Sequence, residues 1–368
     1  MKPYLILLFV FLFSNSCVSQ DKQPAHLNDL DDIIEKAIEE KHIPSFAVGV
    51  VKDGDVAYAK TFGFVNVENK REANNQTMYQ LGSVTKTMTG HVLVRLVEEG
   101  VISLSDTLAS FFPDSVNFPT GPNGEIVTVQ HMATHSAGFP HYPDNLERVD
   151  PDPILGYTKE QLYRGIEMVD IETIPGEEYN YSNFGYGVLG TALENATGKP
   201  LNELLQTYLF EPAGMQHSSL LINEEIREKL AVPYLEINPY QTTEPWQMEA
   251  MAGAGNVFTN LEDMNKFLMH LLEKNDTNRL QQTPILNVND SGTWRYGIGS
   301  FIVNTQDLGT LRIHHGGDVD GYASTINLYP EYDLGMVIMT NNGEGSILAD
   351  AFNEIRSFVT DYYINSKQ

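Results

Sequence analysis

Cysteine is almost missing. Cys17 is the only one in 368 residues, so no disulfide can form within the chain. Basic residues are scarce as well: Lys and Arg total 23 against 49 Asp and Glu, a formal net charge of −26. A surface of that sign repels nucleic-acid phosphates and has no electrostatic grip on anionic lipid, so no nucleic-acid partner is expected. No run of like charges is long enough to mark disorder. After the first 13 residues, no apolar stretch reaches the length of a transmembrane helix. Internal repeats and low-complexity tracts are absent too.

What is present suffices for a sizeable core. Hydrophobic residues make up 42% of the chain, and its length suits one large or two ordinary domains. The N-terminus reads as a targeting segment. Lys2 supplies a positive start, Tyr4 to Phe13 an apolar run too short to span a bilayer, and Ser14, Asn15 and Ser16 lead to Cys17. Residues 1–17 are thus expected to be a signal peptide, and Cys17 resembles the lipidated cysteine of a bacterial lipoprotein. Ser14 stands where that motif has an aliphatic residue, and an ordinary secretory signal is the alternative. Residues 18–27 read as a polar tether. The expected location is across the inner membrane, in the periplasm or as an outer-membrane lipoprotein, with membrane contact only through the N-terminal lipid.

Periodicity outlines the rest. Leu30, Ile33, Ile34, Ala37 and Ile38 recur at helical spacing, predicting a helix from about Leu27 to Lys41. Asp53-Gly54 between Phe46–Lys52 and Asp55–Phe62 marks a hairpin. Near the C-terminus, Tyr296–Val303, Thr310–His314, Tyr322–Tyr329 and Leu334–Met339 are strand-like, and Ser346–Tyr363 is a helix. The middle, about 82–288, is mostly helical. The expected fold is therefore α+β. An antiparallel sheet is built from both termini (about 28–80 and 290–365) and flanked by helices, with a mostly helical region inserted. A cleft is expected between the two parts.

Three short motifs carry chemistry. Ser83-Val84-Thr85-Lys86 opens an apolar-periodic segment, which places Lys86 one helical turn after Ser83 on the same face. A serine hydroxyl needs a base within hydrogen-bond reach, and a lysine serves when desolvation lowers its pKa. Taken alone the spacing is cheap, since Ser19-Gln20-Asp21-Lys22 shares it. Tyr181-Ser182-Asn183 offers a tyrosine that can relay a proton and an amide that can donate to a carbonyl. Tyr363-Ile364-Asn365 has the same form. His314-His315-Gly316-Gly317-Asp318 ends a strand-like run, where glycines let a ligand approach the backbone; a plain turn is the alternative.

In that order and at those spacings, the three motifs resemble the serine β-lactamase and penicillin-binding superfamily. The nearest branch holds class C β-lactamases, D-alanyl-D-alanine carboxypeptidases, D-amino-acid peptidases and related esterases. The resemblance runs from about Asp29 to Tyr363 and includes Met132–Gly138, Phe210–Met215 and Gly253–Met264. It implies a catalytic domain over 28–365 with a β-lactamase/transpeptidase-like fold. It implies Ser83 as nucleophile, Lys86 as base, Tyr181 as catalytic tyrosine and Asn183 as the carbonyl-holding amide. It also implies an oxyanion hole from the Ser83 and Asp318 N–H groups. His315-Gly316-Gly317 stands where Lys-Thr-Gly is familiar; the frame His314-His315-Gly316 is the alternative. Without that lysine, the case for substrates with a free carboxylate is weaker.

The expected activity is acyl transfer to water from an ester, an amide or a D-amino-acid peptide, so the partner is a small molecule or short peptide. A carboxypeptidase or β-lactamase, and a non-enzymatic protein (a sensor that is acylated without turnover, or a degenerate binding module), are the alternatives. No cofactor is expected. His131 and His135 are four apart, but Met132 stands where a zinc-binding helix has its Glu, so no metal is expected, and His135 and Gly138 are read as shaping a loop near the cleft. Tyr179, Phe184 and Tyr186 are pocket wall or core, and Trp246 and Trp294 are candidate rim residues.

Overall fold

The computed structural model describes residues 26–148, 152–237 and 240–365. The signal peptide, the Cys17 lipidation site and most of the 18–27 tether lie outside them. His26 and Leu27, counted with the tether, belong to the fold: His26 O accepts from Asp29 N, and Leu27 packs on the core.

Side-chain alternation decides how the sheet is covered. In strand Ser45–Lys52, Phe46, Val48 and Val50 point one way, and Ala47 and Val51 the other. All are buried, because both faces of the sheet are packed. The first set meets Leu30 and Ile34 of the Asp29–Lys41 helix and Leu348, Ala351 and Ile355 of the Gly345–Tyr363 helix. The second set joins the larger core of the helical region. Asp53 and Gly54, at φ 53° and 81°, form the tight turn into strand Asp55–Asn66.

The nine strands are antiparallel in the order Arg71–Glu72, Asp55–Asn66, Ser45–Lys52, Leu334–Thr340, Tyr322–Tyr329, Thr310–Val319, Phe301–Thr305, Trp294–Tyr296, Leu286–Asn287. Strands from both ends of the sequence thus meet where Phe46 pairs with Thr340. Residues between them supply the helices, including Thr85–Glu98, Asn183–Thr197 and Leu261–Leu272. This is the α+β architecture expected from the sequence.

Two expectations about strands are corrected. The Tyr296–Val303 strand is two strands, Trp294–Tyr296 and Phe301–Thr305. Gly297 N bonds Ser300 O, and Thr87 Oγ1 bonds Gly299 O, so the chain between them turns to dock on the start of the Thr85–Glu98 helix. The strand expected to end at His314 runs on to Val319, so His315 to Asp318 form no turn. They stay paired with Ile326, Thr325, Ser324 and Ala323. On the other edge, Phe301–Thr305 covers the strand only as far as His314. Among the described residues no strand pairs with that edge from His315 onward, and it borders a cavity.

Candidate active site

Ser83 sits in a 3-10 turn, Gly82–Val84, that feeds the Thr85–Glu98 helix. Gly82 has φ 56°, and a Cβ there would lie 2.7 Å from Asp318 N. Only glycine lets the turn approach the strand this closely. Polar residues of the helix's first turns are each claimed by a different segment. Thr85 Oγ1 accepts from Val257 N, Thr87 Oγ1 donates to Gly299 O, and Thr89 Oγ1 donates to Gly253 O. The start of the helix is therefore held on several sides.

Lys86 is fully buried one turn after Ser83. Its Nζ lies 2.9 Å from Ser83 Oγ, 2.7 Å from Asn183 Oδ1 and 2.7 Å from Ala254 O. Burial lowers its pKa well below the usual lysine value. Tyr181 packs beside it, with the ring centroid 4.9 Å from Nζ. Burial raises the Tyr181 pKa, and the neighbouring Ser83 hydroxyl opposes that rise. The other face of Asn183 is engaged too: its Nδ2 lies 3.0 Å from His141 Nε2.

His315 points to the same side as Ser83 and lies 6.3 Å, centroid to centroid, from Tyr181. Its Nδ1 is 2.6 Å from Gly316 O, and its Nε2 is 3.2 Å from Tyr296 Oη. Burial, then the charge of Lys86, push its pKa down to about 3, against the opposing carbonyl. The imidazole is neutral at physiological pH, with Nδ1 donating and Nε2 accepting. Gly317 touches the turn from below: a Cβ there would lie 1.9 Å from Leu81 O. Asp318 stands open to the cavity. Its protein surroundings, then Asp320, push its carboxyl up to about 7.

His135 is the residue that the sequence motifs undervalued. It is buried at φ 57°, a conformation that costs a non-glycine residue free energy. Its O accepts from Asn180 N at 2.7 Å, and its Nδ1 accepts from Ser182 N at 3.1 Å. It therefore grips the backbone on both sides of Tyr181, and its ring lies 4.4 Å from the Tyr181 ring. His131, by contrast, caps its own short helix by accepting from Thr128 N. Among the described residues no cluster of His, Cys, Asp and Glu could hold a metal.

These groups open on a cavity of about 670 Å³. Ser83, Tyr181, Asn183, His315, Gly316, Gly317 and Asp318 all line it, so the sequence motifs converge on one place. Trp294 lines it as well. Trp246 does not rim the cleft: it is buried in the core, its backbone tied to Gln80. Phe184 and Tyr186 are core. Phe210–Met215 packs away from the site, where Lys266 Nζ bonds Gly214 O. His141, Tyr142, Arg312 and Arg356 also line the cavity, and no motif announced them.

Fold and comparisons together place the chain in the serine β-lactamase and penicillin-binding superfamily. The chain belongs to the Beta-lactamase family, whose model matches residues 30–357. Among curated relatives, Protein flp of Staphylococcus aureus (strain MRSA252) is 26% identical over 320 residues, 85% of this chain and 62% of that protein. The chain thus spans less than two thirds of that relative. The D-alanyl-D-alanine-carboxypeptidase/endopeptidase AmpH of Escherichia coli (strain K12) is 26% identical over 254 residues, 68% of this chain and 64% of that one. The octameric penicillin-binding protein homologue from Pyrococcus abyssi superposes with a TM-score of 0.76 at 29% identity, covering 87% of this chain and 74% of that one. A β-lactamase/D-alanine carboxypeptidase from Yersinia pestis, complexed with citrate, shares the fold at a TM-score of 0.80 and 20% identity, over 91% and 100% of the two chains.

Proposed function

We propose that the protein hydrolyses an ester, amide or D-amino-acid peptide through an acyl-enzyme on Ser83, with Lys86 as the base. The observation that carries this is the set of three partners around Lys86 Nζ. A neutral amine has two N–H donors and one lone pair. Asn183 Oδ1 and the Ala254 carbonyl can only accept, so they take both N–H groups. The lone pair then faces Ser83, whose O–H donates to it. The base is thereby aimed at the nucleophile, and its burial favours the unprotonated form.

Tyr181 has the complementary role. Its raised pKa keeps the phenol protonated, so it can donate its proton to the leaving group. The oxyanion rests between the Ser83 and Asp318 N–H groups, a reading supported by the close approach of Gly82 to Asp318 N. The second N–H of Asn183 Nδ2 holds the substrate carbonyl. Water, activated by Lys86 and Tyr181, then releases the acyl group. No cofactor enters these steps.

Carboxypeptidase action is the second reading, supported by the likeness to AmpH. A neutral His315 in place of a lysine favours the first, because it offers no fixed charge beside the scissile bond. An envelope location, with a lipid on Cys17, belongs to the same proposal. The test compares wild type with Ser83→Ala on an activated short-chain acyl ester. Loss of turnover by several orders of magnitude in the variant is expected. Equal rates for the two would sink the reading; a stable acyl adduct without turnover would instead make the protein a sensor.

A further inference from the structure

The cavity extends well past Ser83. Its far end lies between the sheet and the Gly345–Tyr363 helix, and is lined by Trp294, His314, Phe352, Asn353, Arg312 and Arg356. Arg312 precedes Asp318 by six strand positions, about 20 Å at the usual rise. Because Phe301–Thr305 closes the strand edge at His314, an extended chain leaving Ser83 must pass from the edge onto this face.

That end gathers positive charge in a molecule of net charge −26. Arg312 Cζ lies 5.9 Å from the Trp294 ring centroid, and its Nε is buried without a hydrogen-bond partner. Arg356 is steadied by Asn353, with Nη2 3.2 Å from Oδ1. Among the described residues, neither guanidinium has a carboxylate within 4.0 Å. Burial and the charge of Arg356 lower the Arg312 pKa, against Tyr329 and Asp307, which raise it, so the two guanidiniums that line this end act on one another. His314, stacked on Phe301, keeps a buried Nε2 with no partner. Of the residues lining the cavity, only Asp318 is acidic, and it sits at the opposite end.

We propose that Arg312 and Arg356 form a subsite for a carboxylate on the acyl portion of the substrate, remote from the scissile bond. Two guanidiniums repel until an anion bridges them, and a carboxylate fits their planar donors. The acyl side is preferred because an acyl chain pinned at its far end stays in place while water attacks. A leaving group so pinned would block that water. The span corresponds to a peptide of about four to six extended residues. The charge missing at His315 is thus supplied at the far end of the cavity, about 20 Å along the strand from Asp318, which selects long anionic substrates over short ones.

The inference rests on Ser83 as nucleophile, and the test separates the two. Peptidyl p-nitrophenyl esters of one to six residues are prepared with succinyl or acetyl caps. For wild type, the succinyl-to-acetyl ratio of kcat/KM should stay near one for the shortest esters and rise on the order of tenfold to a hundredfold at four to six residues. Arg356→Gln, checked for folding by thermal melting, should collapse that ratio, and so should Arg312→Gln. A flat ratio at every length, or an equal loss in both series, would overturn the subsite while leaving Ser83 untouched. Calorimetric binding of the corresponding unreactive succinyl and acetyl peptide amides to Ser83→Ala protein gives the converse. A succinyl preference there supports the subsite even if the nucleophile assignment fails.

Discussion

Gly317 and Gly316 are neighbours on one strand, and the structure assigns them different tolerances. A Cβ on Gly317 would lie 1.9 Å from Leu81 O and 2.7 Å from Ser324 Oγ. The strand and the Leu81–Gly82 turn would have to separate by about 1 Å to reach even the 3.0 Å that bounds real contacts. That movement strains the 2.7 Å bond from Ser324 Oγ to Leu81 O, and it draws the Asp318 N–H away from Ser83. Overpacking of this kind costs about 1–3 kcal/mol of stability. Displacing an oxyanion donor by about 1 Å costs on the order of a hundredfold in rate, or about 2.7 kcal/mol. A Cβ on Gly316 meets only Ser324 O, at 3.9 Å. The assay pairs thermal melting with kcat on an activated ester for Gly317→Ala and Gly316→Ala. Gly317→Ala should melt several degrees lower and lose about two orders of magnitude in kcat, while Gly316→Ala should melt with wild type. A Gly317→Ala protein that melts with wild type and keeps its kcat within about threefold would refute the role given to this contact.

Other expectations follow from the same geometry. Lys86→Met should abolish turnover yet raise the melting temperature, since it removes a buried amine that is costly to hold. In wild type, Lys86 binds fewer protons folded than unfolded between its lowered pKa and the ordinary lysine value. Stability should therefore rise with pH across that window, and Lys86→Met should lose that slope in denaturant titrations. The pH profile of kcat/KM should fall on the acid side as Lys86 protonates. It should also fall above about pH 7, where Asp318 becomes anionic beside the oxyanion, and Asp318→Asn should remove only that alkaline limb. His135→Asn should lower kcat about tenfold or more, because Tyr181 loses its backbone grip, while the acid limb stays in place. A shifted acid limb would instead make His135 part of the titrating machinery.

Much of the site could be read from the sequence because its key residues lie in short local patterns. Ser83 and Lys86 are one helical turn apart, and that spacing alone brings Nζ to Oγ. The hairpin at Asp53-Gly54 and both terminal helices were legible for the same reason, since each is set by turn chemistry or apolar period. What could not be read depends on distant segments. The strand break after Tyr296 comes from docking on Thr87, which no local propensity encodes. The continuation past His314 comes from Tyr322–Tyr329, whose pairing overrides two glycines. His135 was legible as shaping a loop near the cleft, but its grip on Tyr181 exists only once residues 135 and 182 meet. Arg312 and Arg356 line one cavity only because a strand and the Gly345–Tyr363 helix pack together.

The pairing of Phe46 with Thr340 also has a kinetic consequence. Strand Ser45–Lys52 lies inside the sheet, yet one of its two neighbours, Leu334–Thr340, is made only after the whole helical region. Contacts so distant in sequence slow folding, because a long loop must close before they form. While the chain is incomplete, that strand keeps one unpaired edge and an apolar face without its terminal helix, the state most prone to stray pairing. Cutting the protein before residue 334 should therefore leave an aggregating fragment rather than a smaller working enzyme.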